Sequence, residues 1–159
     1  MRTLVACVGN IFLGDDGFGV EVARELAGTP VPDGVKIADI GIRGVHLVHE
    51  LLDGYDLLIL VDAAQRGQPA GTVSVIEADE PYGSGDSLPV IDAHGLAPDG
   101  VFALLEQLGS RPRTLVVACE PADVSPGLGL SPPVQAAVGP AADTVRELLS
   151  RETNKELST

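Results

Sequence analysis

The sequence has few cysteines, few aromatic residues and no long hydrophobic run. Its 159 residues include two cysteines, no tryptophan and 3% aromatic residues. Two cysteines are too few for a disulfide framework, and Cys7 and Cys119 each lie in an apolar run, which predicts buried thiols. No run reaches the roughly 18 apolar residues of a membrane span, and residues 1–20 lack the pattern of a signal peptide. These absences predict a cytoplasmic protein without a membrane segment.

Basic residues are outnumbered by acidic ones. Lys and Arg total 10 against 23 Asp and Glu, which gives a net charge of −13 and a pI near 4.3. Phosphate backbones and anionic membranes repel such a chain, so the charge argues against nucleic-acid and membrane partners. A metal ion, a cationic partner or a basic peptide suits it better. The apolar fraction of 45% excludes a wholly disordered chain, and the length predicts one domain.

Short apolar runs alternate with longer amphipathic periods. The pattern predicts five strands, at Thr3–Val8, Val35–Asp39, Leu57–Asp62, Thr72–Glu77 and Thr114–Cys119. It predicts four helices, at Asp16–Ala27, Gly44–Asp53, Pro98–Leu108 and Pro132–Leu149. This order predicts an α/β fold over residues 1–150, a single-domain three-layer α/β/α sandwich around a mostly parallel five-stranded sheet. The polar residues 151–159 are expected to form a frayed tail.

Ligands in such folds bind at the carboxyl ends of the strands, which directs attention to the turn Gly9–Gly19. This turn is rich in glycine, but the spacing does not match the G-x-G-x-x-G dinucleotide fingerprint. Asp15 and Asp16 would also repel a pyrophosphate at the start of the helix. Two interpretations of the acids stay open. Both cap the helix, or one caps it while the other faces a metal.

Three further residues are candidates for a site. Asp62 follows the continuously apolar run Leu57–Val61, and it is either an acid of the active-site edge or a cap of the next turn. His94 is either a surface histidine or, with Asp16 and Asp62, the third ligand of a divalent transition metal. Asp39 ends the second predicted strand and is either a cap or a site residue.

The same residues resemble, in order, the signature of the nickel-iron hydrogenase maturation endopeptidases. The resemblance rests on segments spread over nearly the whole chain, through residue 150. They are Gly9–Val20, Asp39–Gly44, Val61-Asp62-Ala63, His94-Gly95-Leu96, Cys119-Glu120-Pro121 and Gly127–Val134.

The resemblance implies a peptidase that removes a short C-terminal extension from the precursor of a nickel-iron hydrogenase large subunit, after nickel has been inserted. The precursor is then the partner. The resemblance implies that Asp16, Asp62 and His94 contact a nickel ion that the substrate supplies, so no permanent cofactor is expected. Asp16 and Asp62 are also the candidate catalytic acids, and we expect Asp39 to orient the attacking water.

Two departures from the family pattern stand out. Asp16 occupies a position that is often Glu, so a metal must approach the backbone more closely or be held through water. The turn Asp39–Gly44 reads Asp-Ile-Gly-Ile-Arg-Gly where Asp-Gly-Gly-Thr-x-Gly is common, which removes a hydroxyl and adds the cation of Arg43. Two other functions stay open: a metal-sensing adaptor that binds the precursor without cutting it, and a nucleotide-binding α/β protein.

Overall fold

The computed structural model describes residues 1–41, 44–78 and 112–157. The strands are β1 (Thr3–Val8), β2 (Val35–Gly41), β3 (Leu57–Ala63), β4 (Val73–Ala78) and β5 (Arg113–Cys119). The helices are α1 (Phe18–Leu26), α2 (Gly44–Leu51) and α3 (Pro132–Leu157), and a 3-10 helix at Gly14–Gly17 leads into α1.

The five strands form one sheet in the order β2-β1-β3-β5-β4. Strands β1, β2, β3 and β5 are parallel, and β4 is antiparallel at one edge. Strand β3 lies in the middle and is buried in all but its last residue, as a continuously apolar strand covered on both faces should be. The predicted α/β fold with a mostly parallel five-stranded sheet is confirmed.

Alternate residues of the strands face two different cores. On β1, Val5 and Cys7 belong to the core that contains the buried faces of α1 and α3. Leu4 and Ala6 point to the opposite face, into the core that contains α2. This two-residue alternation produces the three layers. Because helices cover both faces of the sheet, side chains can reach solvent mainly at the ends of the strands.

The last helix is longer than the sequence predicts. Instead of fraying after residue 150, α3 continues to Leu157. Glu152 is only 5% exposed, and its carboxylate accepts a hydrogen bond of 2.8 Å from the guanidinium of Arg113 at the start of β5. This contact attaches the last turns of the helix to the sheet, which the local polarity of the segment does not reveal.

Three other predictions concern burial and location. Cys7 and Cys119 are both fully buried, as predicted. Among the described residues, we find no helix with the length and apolar character needed to cross a membrane. The predicted helix Pro98–Leu108 lies outside the described residues.

Candidate active site

The carboxyl ends of β1, β2 and β3 lie side by side because the three strands are parallel. Cys7 of β1 pairs with Asp39 of β2 on one side and with Val61 of β3 on the other. Asp62 is the next residue of β3, and the 3-10 helix carrying Asp16 contacts this strand. The structure thus brings Asp16, Asp39 and Asp62 to one edge of the sheet.

Asp62 is a buried acid whose hydrogen bonding is incomplete. The residue is 2% exposed, and its carboxylate accepts a hydrogen bond from the backbone N–H of Ala63. Its Oδ1 atom has no hydrogen-bond partner among the described residues. Burial, and then the negative charge of Asp16, raise the pKa of Asp62 well above its usual value, against the weaker effect of the Ala63 bond. Asp62 therefore lies close to a second carboxylate without a compensating cation in the described part of the chain.

The alternative role of Asp62, capping the turn after β3, belongs to another residue. The backbone N–H of Ala64 donates to the carbonyl of Cys119. The Glu120 carboxylate accepts hydrogen bonds from the backbone N–H groups of Arg66, at 2.8 Å, and of Gln68, at 2.7 Å. Glu120 holds this turn, which leaves the side chain of Asp62 for another task.

Asp16 is half-buried on the 3-10 helix. Its Oδ2 atom accepts a 3.0 Å hydrogen bond from the backbone N–H of Asn10, and the same N–H is 3.2 Å from the Asp16 carbonyl. These contacts fix the first turn against the helix that follows it. Neither the 3-10 helix nor α1 has a side-chain cap, so the prediction that Asp15 and Asp16 cap a helix is wrong.

Asp15 instead binds a loop that is distant in sequence. It is fully buried, and four donors surround it: the backbone N–H groups of Ala122, Asp123 and Ser131 and the hydroxyl of Ser131, all at 2.7–2.9 Å. Burial raises the pKa of Asp15, but the hydrogen bonds from these donors together outweigh burial and lower it. Adjacent acids thus have different environments: Asp15 is saturated with donors, whereas Asp16 faces another acid.

The glycines of the first turn allow close packing. A Cβ atom on Gly19 would lie 2.2 Å from the carbonyl oxygen of Val8 and 2.8 Å from that of Val61, and one on Gly9 would lie 2.1 Å from the carbonyl oxygen of Asp16. Helix α1 therefore starts directly against the ends of β1 and β3. The glycine pattern is explained by this packing, and with two carboxylates at the turn the geometry does not favour a nucleotide.

Asp39 lies at the same end of the sheet as the acidic pair, Asp16 and Asp62, but on β2, with β1 between it and β3, and it is in solvent. Its side chain is exposed, and Oδ1 accepts a 3.1 Å hydrogen bond from the backbone N–H of Gly41. The negative charge of Asp39 adds to burial in raising the pKa of the neighbouring Cys7 thiol to about 12, so this cysteine is not a nucleophile.

The predicted site residue His94 lies outside the described residues, as does Arg43 of the turn after β2. Within the described ranges, we find no group of three His, Cys, Asp or Glu side chains arranged to hold a metal. Asp16 and Asp62 are two members of the predicted set of three, and the assignment of all three to a metal stays a prediction.

The roles of Asp15 and Glu120 are not among the predictions from the sequence. Glu120 follows the apolar strand β5 as Asp62 follows β3, so the same pattern, an acid after an apolar run, could have identified it. Asp15 offered no such signal. Its partners lie 107 to 116 residues away, and the residue next to it has the same chemistry.

Comparison with known proteins identifies the family. A family model described as hydrogenase maturation protease matches residues 20–148. The hydrogenase 2 maturation protease of Escherichia coli is 33% identical to this chain, over 98% of the chain and 94% of that protein. The hydrogenase expression/formation protein HupD of Bradyrhizobium diazoefficiens is 34% identical, over 94% and 78% respectively.

Solved structures agree with this result. The hydrogenase maturating endopeptidase HybD from Escherichia coli has a TM-score of 0.84 and 30% identity, covering 96% of this chain and 94% of that chain. The [NiFe] hydrogenase maturation protease HycI from Thermococcus kodakarensis has a TM-score of 0.75 and 25% identity, covering 94% and 92%. The predicted family and peptidase activity are confirmed, and the chain belongs to the hydrogenase maturation proteases.

Proposed function

We propose that this peptidase removes the C-terminal extension of a nickel-iron hydrogenase large-subunit precursor, and that it does so only after nickel has been inserted. The observation that carries the proposal is the Asp62 carboxylate, which is buried, lies near Asp16 and has one oxygen without a hydrogen-bond partner among the described residues. A divalent cation is a group that the buried Asp62 carboxylate would bind favourably, because it supplies a positive charge and a partner for the unsatisfied oxygen.

In this proposal the nickel ion belongs to the substrate. Asp16 and Asp62 bind it from the enzyme's side, and His94 is the third ligand that the family resemblance implies. Ligands of oxygen and nitrogen suit nickel in the divalent state, and no resident cofactor is required. Because the acids become ligands only when the metal arrives, a precursor without nickel lacks these contacts and binds weakly.

Binding through the metal also positions the scissile peptide bond at the edge of the sheet. Fixing the two reactants in one geometry contributes several kcal/mol to catalysis in well-studied reactions. Water then adds to the peptide carbonyl, the C–N bond breaks, and the amine of the extension leaves with a proton. Asp39 is exposed at the same end of the sheet, and we assign it the role of orienting this water.

The experiment is intact mass spectrometry of a nickel-loaded precursor with and without the protein, next to a nickel-free precursor. We expect the C-terminal peptide to be lost from the loaded form alone. Asp62→Asn and His94→Ala should leave it uncut. The matched control is Asp33→Asn, because Asp33 is an exposed acid before β2, at the opposite edge of the sheet.

The other outcomes have definite meanings. Cleavage of both forms would keep the protease and remove nickel as the recognition element. Binding of the loaded precursor without cleavage would favour the adaptor. Normal cleavage by Asp62→Asn and His94→Ala would refute the assignment of the site.

A further inference from the structure

Two loops lie side by side next to the acidic pair. The first, residues 9–14, leads into the 3-10 helix, and the second, residues 121–131, connects β5 to α3. The backbone N–H of Gly14 donates to the carbonyl of Gly127, and the N–H of Gly127 donates to the carbonyl of Phe12, both at 2.9 Å. Leu13 and Gly127 form a parallel β-bridge. The two loops therefore make one continuous backbone surface.

Hydrogen bonds to the buried Asp15 carboxylate hold the two loops in place. The four hydrogen bonds to the Asp15 carboxylate attach both ends of the second loop to the first turn. Asn10 accepts a 2.9 Å hydrogen bond from the backbone N–H of Phe12 at its side-chain oxygen, while its own N–H binds Asp16. A short series of hydrogen bonds thus connects the position of Phe12 to that of Asp16.

The paired loops expose large apolar side chains. Phe12 is 65% exposed and Leu128 is 75% exposed, with Ile11 and Val124 exposed to a smaller degree. We call these four residues the paired-loop surface. The remaining exposed large apolar side chains of the described residues are scattered through the fold, at Met1, Val31, Leu52 and Val75. Apolar side chains clustered on a rigid surface are typical of a docking site.

A small cleft of about 120 Å³ lies beside this surface, and Ile11 and Leu130 are among the residues that line it. The two loops, residues 9–14 and 121–131, carry one charged side chain, the exposed Asp123, and neither Lys nor Arg. The whole chain has a net charge of −13. A complementary segment would carry an apolar side chain and positively charged neighbours.

We propose that the paired-loop surface docks an apolar segment of the hydrogenase large-subunit precursor, flanked by basic residues, and so holds the substrate while the acidic pair contacts the metal. This inference rests on the proposed function. Its physical basis is the series of hydrogen bonds that connects Phe12 through Asn10 to Asp16. The exposed apolar side chains and the charge of the loops add to it. Docking contributes equally to the ground state and the transition state, so its loss raises KM and leaves kcat unchanged.

The test is the steady-state cleavage of nickel-loaded precursor by Phe12→Ser, Leu128→Ser and the control Val31→Ser. Val31 is exposed before β2, at the other edge of the sheet. Because all three side chains are exposed, the variants should fold, and thermal melting checks this. We expect KM to rise about tenfold for the two loop variants, which corresponds to the loss of one buried large apolar contact, and to be unchanged for Val31→Ser. Raising the salt concentration should increase KM of the wild type.

An unchanged KM in both loop variants overturns the proposal, and so does a loss confined to kcat. Sedimentation tests whether a second copy of this chain occupies the surface instead. If the wild type is a dimer, and if Phe12→Ser is a monomer with an unchanged KM, then the surface joins copies of this chain. If the wild type does not cut the precursor at all, the proposed function fails. Calorimetric binding of loaded precursor to the wild type and to Phe12→Ser then still tests docking, because equal affinities would refute it.

Discussion

Asp15 and Asp16 are adjacent residues of the same type, and we expect the same substitution to have different effects at the two positions. The Asp15 carboxylate is fully buried and accepts hydrogen bonds from Ala122, Asp123 and Ser131. Replacing it by Asn substitutes an NH₂ donor for one of its two acceptor oxygens. Asp16 accepts a backbone hydrogen bond at Oδ2 that an Asn side chain also accepts, and its charge opposes a second acid.

The size of the effect at Asp15 follows from the contacts. Three of the four bonds converge on Oδ2 and the fourth, from the backbone N–H of Ser131, ends on Oδ1. In Asp15→Asn the oxygen keeps the three bonds, and the NH₂ group then faces the Ser131 N–H, so one bond is lost and a buried donor is left unpaired. Hydrogen bonds to a charged group are worth about 1.5–3 kcal/mol, and the surviving bonds weaken when the charge is removed. We therefore expect a loss of about 3 kcal/mol, after part of the cost of burying a charge is recovered.

Thermal unfolding monitored by circular dichroism measures this loss. For a chain of this length, 1 kcal/mol shifts Tm by about 2–4 °C, so Asp15→Asn should melt roughly 6–12 °C below the wild type. Asp16→Asn should melt above Asp15→Asn, since it keeps an acceptor for the bond from Asn10. Its cleavage of loaded precursor should be lost. Equal melting of Asp15→Asn and wild type would refute the assignment of Asp15 as the residue that holds the loop.

The pH dependence of stability provides a second measurement on Asp15. Its pKa is lowered in the folded state, so between the folded and unfolded pKa values the unfolded chain binds a proton that the folded chain does not. Its contribution to stability is therefore complete above the unfolded pKa and is lost as the pH falls through the folded pKa. Asp15→Asn should lack this part of the acid transition.

Three shorter predictions test other parts of the site. Gly19→Ala should destabilise the protein and lower kcat/KM. The added Cβ would lie 2.2 Å from the carbonyl oxygen of Val8, so α1 must shift by about 1 Å. The gain in helix propensity, at most about 1 kcal/mol, does not offset the cost of that shift. Asp62→Asn should reduce the pH dependence of Tm. Because the pKa of Asp62 is raised in the folded state, the wild type loses stability as the pH rises from about 4 through the folded pKa. A variant with the same pH profile as the wild type would contradict the raised pKa of Asp62. Glu120→Gln should make the turn after β3 more susceptible to limited proteolysis, because two backbone N–H groups lose a charged acceptor.

The sequence was sufficient to predict the strands and the acid at the end of β3. The run Leu57–Val61 is continuously apolar, and only a strand covered on both faces requires that pattern. An acid placed directly after such a run cannot reach open solvent, which is why Asp62 was identified correctly as a residue at the edge of the sheet. Here local pattern and tertiary position carry the same information.

The sequence does not distinguish Asp15 from Asp16, because the difference between them comes from a loop more than a hundred residues away. It also could not place the end of α3. Residues after 150 are polar and suggest a frayed tail, but Glu152 pairs with Arg113, a residue far from it in sequence. In both cases a buried acid is stabilised by a long-range partner that has no periodic signature.

The contrast among the buried acids is the strongest argument for the proposed site. Asp15 and Glu120 are as buried as Asp62, and both are satisfied by backbone N–H groups of their own chain. Backbone N–H groups therefore satisfy two buried acids at this edge of the sheet: Asp15, which is next to Asp16, and Glu120, which binds the turn after β3. Among the described residues the fold supplies no donor to Oδ1 of Asp62. An acid left in this state lowers stability, and the proposed nickel of the substrate supplies the charge that would relieve it. It follows that a divalent cation which binds at Asp62 should raise Tm of the wild type and leave that of Asp62→Asn unchanged, whereas an equal rise in both would place the cation elsewhere.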